Sequence, residues 1–233
     1  MEYREELRWG RLLRRWKRFL AEVEFGDGRR VVAHVPNSGA MLGCADPGSP
    51  VLVAPAAGPG RKLDWRLEQV IAGGIPVGVN TQLANGLALE ALASGLLEFP
   101  GLRGPWQADR EVRCGSGNRL DFRLTGSGGT VWVEVKNVTW AKNGIALFPD
   151  AATARGARHL DLLTGIVRAG GSAALVYVVQ RGDARAVQAA DRVDPAYAAA
   201  LHRARESGVI VRAVQVVVAP HRLVPWRVIP VPE

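Results

Sequence analysis

The stretch Arg119–Val138, RLDFRLTGSGGTVWVEVKNV, decides how the second half of the chain folds. Gly126-Ser127-Gly128-Gly129 interrupts two segments in which apolar and polar residues alternate, the pattern of a β-hairpin. On the first strand Leu120, Phe122 and Leu124 share one face, leaving Asp121 and Arg123 on the other. On the second, Val131, Val133 and Val135 share a face, with Trp132, Glu134 and Lys136 opposite. Symmetric pairing about the turn sets Thr125 against Thr130 and, counting outward, Asp121 against Glu134. The Cβ atoms of directly opposed residues lie about 5 Å apart. Two carboxylates held that close repel each other unless a cation or a proton lies between them. Oxygen ligands of this kind suit Mg²⁺ (or Mn²⁺), which takes one or two carboxylates, several waters and a substrate phosphate. Lys136, on the same face as Glu134, is placed to orient an attacking water or to stabilise charge on a phosphate. Asp121, Glu134 and Lys136 therefore fit metal-assisted phosphodiester hydrolysis. The competing reading is a solvated hairpin face whose charges merely repel or pair.

The flanking sequence extends this hairpin into a mixed α/β unit. Ala84–Leu97, with Leu87, Leu89, Ala91, Leu92 and Leu96, predicts a helix whose last turn Gly95 weakens. Trp106–Arg113 predicts a strand before the hairpin. After it come a helix over Thr153–Arg168, an almost unbroken apolar strand over Ser172–Gln180, a helix over Pro195–Ser207 and a strand over Val209–Ala219. From Ala84 onward the order is helix, three strands, helix, strand, which matches the core of the restriction-endonuclease-like fold, although fold alone assigns no function. Glu90, mid-helix among apolar residues, is a third candidate metal ligand; its other placement is the wet face of the helix. Glu111 is a weaker candidate of the same kind. Asp150 or Thr153 caps the second helix. Arg155 and Arg158, three apart near its N-terminus, are placed to grip phosphate or simply to face water. His159, beside Leu160 and Leu163, reads as a partly buried, hydrogen-bonded histidine, and Gln180 closes the apolar strand near the site.

The N-terminal third reads as short strands between Gly/Pro-rich turns: Phe19–Phe25, Arg29–Val35, Pro50–Ala54, Asp64–Ile71 and Ile75–Val79. Five such strands predict a small OB-like barrel over residues 1–80, followed by the α/β unit over 81–233. Arg15, Lys17 and Arg18 around Trp16 form a basic cluster with an aromatic, as in single-strand binders, with Trp16 as barrel plug the alternative. Asn37 and Ser38 suit a tight binding turn, and Arg61 with Lys62 a second backbone contact. Thirty Lys and Arg against 22 Asp and Glu give a net charge of +8, which favours a polyanion partner. Two isolated cysteines, Cys44 and Cys114, exclude a disulfide framework and a thiolate zinc site. A charged N-terminus without an apolar segment, and no apolar run of spanning length, predict a soluble, cytoplasmic protein that makes no membrane contact.

Several motifs in order carry a resemblance to the sugar fermentation stimulation protein A family: KRFLAEVE from Lys17, VPNSGAMLGC from Val35, RKLDW from Arg61, VNTQLAN from Val79, NRLDF from Asn118, EVKNVT from Glu134, FPDAATARGARHL from Phe148 and DPAYAAAL from Asp194. The resemblance implies an N-terminal OB-like domain joined to a nuclease-like domain of the PD-(D/E)xK type, and a DNA-binding role linked to sugar utilisation. Its acidic positions fall on Asp121 and Glu134 and its lysine on Lys136; Leu120 stands where the strict motif has proline. Two functions follow as expectations. One is DNA binding with a metal-dependent nuclease site. The other is a non-catalytic DNA-binding regulator that keeps the nuclease fold.

Overall fold

The computed structural model describes residues 1–56, 58, 60, 62–115 and 117–232. Arg61, one of the expected nucleic-acid contacts, lies outside the described residues. The chain opens with six strands: β1 (Arg8–Trp16), β2 (Leu20–Phe25), β3 (Arg30–His34), β4 (Pro50–Pro55), β5 (Trp65–Ala72) and β6 (Ile75–Gly78). They follow the order β3-β2-β1-β4-β5-β6, and parallel pairing of Ala33 and His34 with Trp65 and Arg66 joins β3 to β5. That closure makes the expected OB-like barrel of five strands, with β6 folded back on β5. Period-2 side chains, including Leu12, Ala21, Val23, Phe25, Val51, Val53 and Leu67, fill its interior.

The sequence reading missed β1, taking its arginines only as part of a charged N-terminus and a basic cluster. The strand pairs with both β2 and β4 and buries Leu12, while Arg8 pairs with Asp27 of the β2–β3 turn and Arg11 and Arg14 with Glu24 and Glu22 of β2. Cross-strand pairs of opposite charge stabilise a sheet where the composition alone suggests coil.

A short 3-10 turn at Thr81–Leu83 leads into α1 (Ala84–Ala93). Then follow β7 (Trp106–Cys114), β8 (Asn118–Gly126), β9 (Gly129–Val138), β10 (Ala141–Lys142), β11 (Ile145–Phe148), α2 (Ala154–Arg168), β12 (Ser172–Val179), β13 (Ala186–Ala189), α3 (Pro195–Glu206), β14 (Ile210–Ala219) and β15 (Arg222–Ile229). A six-stranded sheet in the order β15-β14-β12-β9-β8-β7 is the second core, with β9, β12 and β14 mutually parallel. Its strand β12 alternates between two buried faces: Ala174, Val176 and Val178 pack with α1, and Ala173, Leu175, Tyr177 and Val179 with α2 and α3. Burial on both sides is why that segment is apolar without break. The helix, three-strand, helix, strand order holds. The small sheet β10-β11-β13 and the edge strand β15 were not anticipated.

Three boundaries differ from expectation. Helix α1 stops at Ala93 because Gly95 takes a left-handed φ of 73° and turns the chain out, so the predicted end at Leu97 was too late. Residues at the very start, assigned to the barrel, lie instead on the β14–β15 turn, where Tyr3 N–H donates to His221 O (3.1 Å) and Leu223 N–H to Met1 O (2.8 Å). The hairpin keeps the predicted Thr125–Thr130 register, but its pairs run only from Gly126–Gly129 to Phe122–Val133. Beyond that point β8 rolls over: Leu120 packs with α2, whereas Phe122 and Leu124 pack with α1. The three do not share a face. At this level Glu111 on β7 adopts φ 52°. No helix among the described residues is long and apolar enough to cross a membrane.

Candidate functional site

Where β8 and β9 part, the start of α1, the N-terminus of α2 and the barrel segment around Asn37–Gly39 enclose a cleft of about 670 Å³. Asp121, Glu134, Lys136, Asn85, Glu111, Asp150, Arg18 and Arg155 line it.

Asp121 fills the split in the hairpin. Its Oδ2 accepts a hydrogen bond from Val135 N–H (2.7 Å) and its Oδ1 from the Asn85 side-chain amide (2.9 Å). Direct backbone pairing with Glu134 is therefore replaced by a side-chain bridge to the next residue. Burial, followed by the charge of Glu134, raises the Asp121 pKa above the ordinary carboxylate value.

Glu134 is 3% exposed. Its Oε1 accepts from Lys136 Nζ (2.5 Å) and from His159 Nδ1. Burial pushes its pKa up, but the His159 hydrogen bond and the Lys136 ammonium outweigh burial and hold the carboxyl below its usual range. Its second oxygen, Oε2, is buried and has no hydrogen-bond partner among the described residues. Leaving a buried acceptor unpaired costs about 1–3 kcal/mol, more for a charged one. A hard cation could satisfy such an oxygen beside a second carboxylate. Among the described residues no group of three or more His, Cys, Asp or Glu side chains is placed to hold a metal ion. The protein would thus supply two carboxylates and leave the other positions open, which fits Mg²⁺ or Mn²⁺ better than a closed zinc site.

Glu90 is not part of this set. It pairs with the Met1 ammonium (2.8 Å) at the far side of α1, and its side chain is 41% exposed. Asn85 is the α1 residue that reaches the site; Glu90 follows it by five residues, about 1.4 turns, and so points elsewhere. Glu111 does line the cleft, in a loose pair with Arg119 (3.8 Å). His159 is fully buried and bonded to Glu134, consistent with the hydrogen-bonded reading. Gln180 lies in the seam behind, donating to Asn137 Oδ1 (2.5 Å) and Asn80 O (3.1 Å).

The expected nucleic-acid contacts divide sharply. Arg15 donates to the carbonyls of Arg18, Asn37, Gly39 and Ala40 at 2.8–3.0 Å, so it clamps the barrel loop and is not presented to a phosphate. Asn37 is buried and serves the same loop, accepting from Gly39 N–H and donating to Val79 O. Ser38 is exposed on the cleft wall, and Arg18 reaches across to the Ser38 carbonyl at 3.0 Å. Lys17 is exposed on the same β1–β2 turn, outside the lining. Trp16 neither plugs the barrel nor stands free; the Arg14 guanidinium lies 4.9 Å from its ring. Lys62 lies at a separate hollow with His34 and Arg66. Arg155 lines the cleft, whereas Arg158, exposed on the same helix, does not. Thr153 caps α2 through Gly156 N–H (3.1 Å), and Asp150 instead accepts from Met41 N–H (2.7 Å), tying the barrel loop to the α/β unit. Sequence reading found the Thr153 cap but did not single out Asn85 or the Asp150–Met41 contact, because both act through contacts distant in sequence.

Residues 13–79 match the model of the "SfsA N-terminal OB domain", and residues 82–222 that of the "Sugar fermentation stimulation protein RE domain". A sugar fermentation stimulation protein homolog of Geobacter sp. (strain M21) is 47% identical over 214 residues, covering 91% of each chain. One of Thioalkalivibrio sulfidiphilus is 46% identical over 237 residues, covering 99% of this chain and 98% of its own. Among solved structures, Pyrococcus furiosus SfsA in complex with Ca²⁺ superposes with a TM-score of 0.88 at 27% identity, covering 100% of this chain and 98% of that one.

Proposed function

The chain belongs to the sugar fermentation stimulation protein family, and from that premise we propose that it is a DNA-binding protein whose cleft hydrolyses phosphodiester bonds with a divalent cation. The observation that carries the reading is the unpaired, buried Oε2 of Glu134 beside Asp121. The relative from Pyrococcus furiosus was solved with Ca²⁺, a hard cation that prefers oxygen ligands as Mg²⁺ does, and this supports a cation site in the family fold.

In this reading Asp121 and Glu134 would hold Mg²⁺ or Mn²⁺, which would supply Lewis-acid positive charge at the phosphate and to water. The remaining work belongs to side chains of the chain itself. Lys136 Nζ, anchored on Glu134 Oε1, is set to orient an attacking water and to offset charge building on the phosphorus oxygens. Asn85 and Val135 N–H hold the Asp121 carboxylate in place, so its geometry is prepared before substrate arrives. Arg18 and Arg155 on opposite walls offer guanidinium groups to the flanking phosphates.

The test is to incubate the purified chain with single- and double-stranded DNA at low salt with Mg²⁺, Mn²⁺ or EDTA, alongside Lys136→Ala. Cutting that needs the metal, and that the variant loses by about 10²-fold or more, is the expected result. Binding without cutting in every lane would instead assign the non-catalytic regulator.

A further inference from the structure

His159 sits in the second turn of α2, 4% exposed, above Leu160 and Leu163 of the core. The position of the helix is fixed: Thr153 caps it, and Gly156 lies so close that an added Cβ would stand 2.8 Å from Thr153 and 3.1 Å from Tyr197. The ring bridges two cleft residues. Its Nε2 accepts from Arg155 Nε at 3.4 Å, which leaves Nδ1 as the protonated nitrogen that donates to Glu134 Oε1.

The consequence lies in the asymmetry of Glu134. A carboxylate has two equivalent oxygens and a broad terminal torsion, so nothing intrinsic selects which one meets a cation. Here Oε1 receives both donors, Lys136 and His159, and Oε2 receives none. Lys136 stands on the same strand and swings on a flexible stem. His159 is rigid, buried and held from behind by Arg155. We infer that His159 is a positioning residue of the cation site: it locks the Glu134 carboxylate so that Oε2 is offered to the metal, and Arg155 secures its ring. A histidine with a purely structural role would merely satisfy a buried acid, and its loss would leave the cation affinity of a folded protein unchanged.

This inference rests on the cation site proposed above, and the experiment separates the two. Mn²⁺ binding to the full chain is measured by electron paramagnetic resonance without DNA, for the unaltered protein, Glu134→Gln, His159→Leu, His159→Asn and His159→Gln, with thermal unfolding as the check on folding. Partners that orient metal ligands typically carry about 10–100-fold in affinity, so His159→Leu is expected to lose that much. An asparagine amide can donate from near the Nδ1 position, so His159→Asn should stay within about threefold of the unaltered chain, while the longer glutamine, whose amide lies near Nε2, should not. Unchanged Mn²⁺ affinity in folded His159→Leu, with Glu134→Gln defective, overturns the positioning role and leaves the cation site standing. Should His159→Leu fail to fold, equal affinities for the Asn and Gln variants overturn it instead. No Mn²⁺ binding by the unaltered chain overturns both.

Discussion

Asp121 is held between opposing demands. Burial and the neighbouring Glu134 charge disfavour its ionised form, while Val135 N–H and the Asn85 amide favour it. Because the net shift is upward, the native state keeps a proton that the unfolded chain has already released. Stability therefore rises as pH falls through the raised pKa, and the gain is complete below the ordinary value of 3.8. At neutral pH the ionised carboxylate is a cost that a bound cation would offset. Asp121→Asn, with the Asn85 amide turned over so that its oxygen accepts from the new NH2, should accordingly raise the metal-free Tm at pH 7.5 by about 2–4 °C, the shift expected for about 1 kcal/mol in a chain of this size. It should also abolish the stabilisation that Mn²⁺ gives. The Tm advantage should shrink as pH drops toward 4, since protonation then does for Asp121 what the amide does. A gap that stays constant between pH 8 and pH 4 would show that the carboxylate is not strained by its surroundings. The nearness of Asp121 to Glu134 was legible in the sequence, because strand period and turn symmetry are local rules, although the direct pair did not form. The lifting of Asp121 out of the ladder was not, since it depends on Asn85, far away on α1.

At the scale of elements, the site is a composite of a barrel loop and a sheet end. Arg15 ties the loop down from one side, and Asp150 from the other. Gly39 lies between them: a Cβ there would meet both Asp150 carboxylate oxygens at 2.6 Å and Asn37 Oδ1 at 3.0 Å. Gly39→Ala should push the loop off Asp150, destabilising the chain by about 1–3 kcal/mol as overpacking does. DNA binding should weaken with it, because Ser38 and Arg18 move with the loop. Circular dichroism melts and a binding titration read both effects; a variant with unaltered melting and binding would show that the loop is not held as described. The same loop explains two misreadings. Arg15 and Asn37 carry the residue types of a phosphate grip, and only the closed barrel reveals that their donors are already spent on carbonyls. Glu90 failed for a different reason. Helix α1 buries Ala84, Leu87, Ala88, Ala91 and Leu92, so apolar neighbours surround the acid in sequence without fixing which way it points.

Across the whole molecule the net charge of +8 is unevenly available. On the outer barrel Arg8, Arg11, Arg14 and Arg30 each pair with an Asp or Glu, so this arginine-rich face is largely neutralised at short range. Arg18 and Arg155 at the cleft, by contrast, have no carboxylate within ion-pair distance among the described residues. Composition predicts a polyanion partner but not where it lies; the ion pairs occupy part of the barrel face and leave Arg18 and Arg155 available at the cleft. Counterion release makes this measurable, because each phosphate contact adds about one unit to the slope of log affinity against log salt. Arg18→Ala should weaken binding of a DNA oligonucleotide uniformly across sequences and lower that slope by about 1, whereas Arg14→Ala, which breaks a pair with Glu22, should leave the slope unchanged. Equal changes in the two variants would place the DNA on the outer barrel face. The carboxylate cleft would then lie away from the bound strand, and the nuclease reading would lose its substrate path.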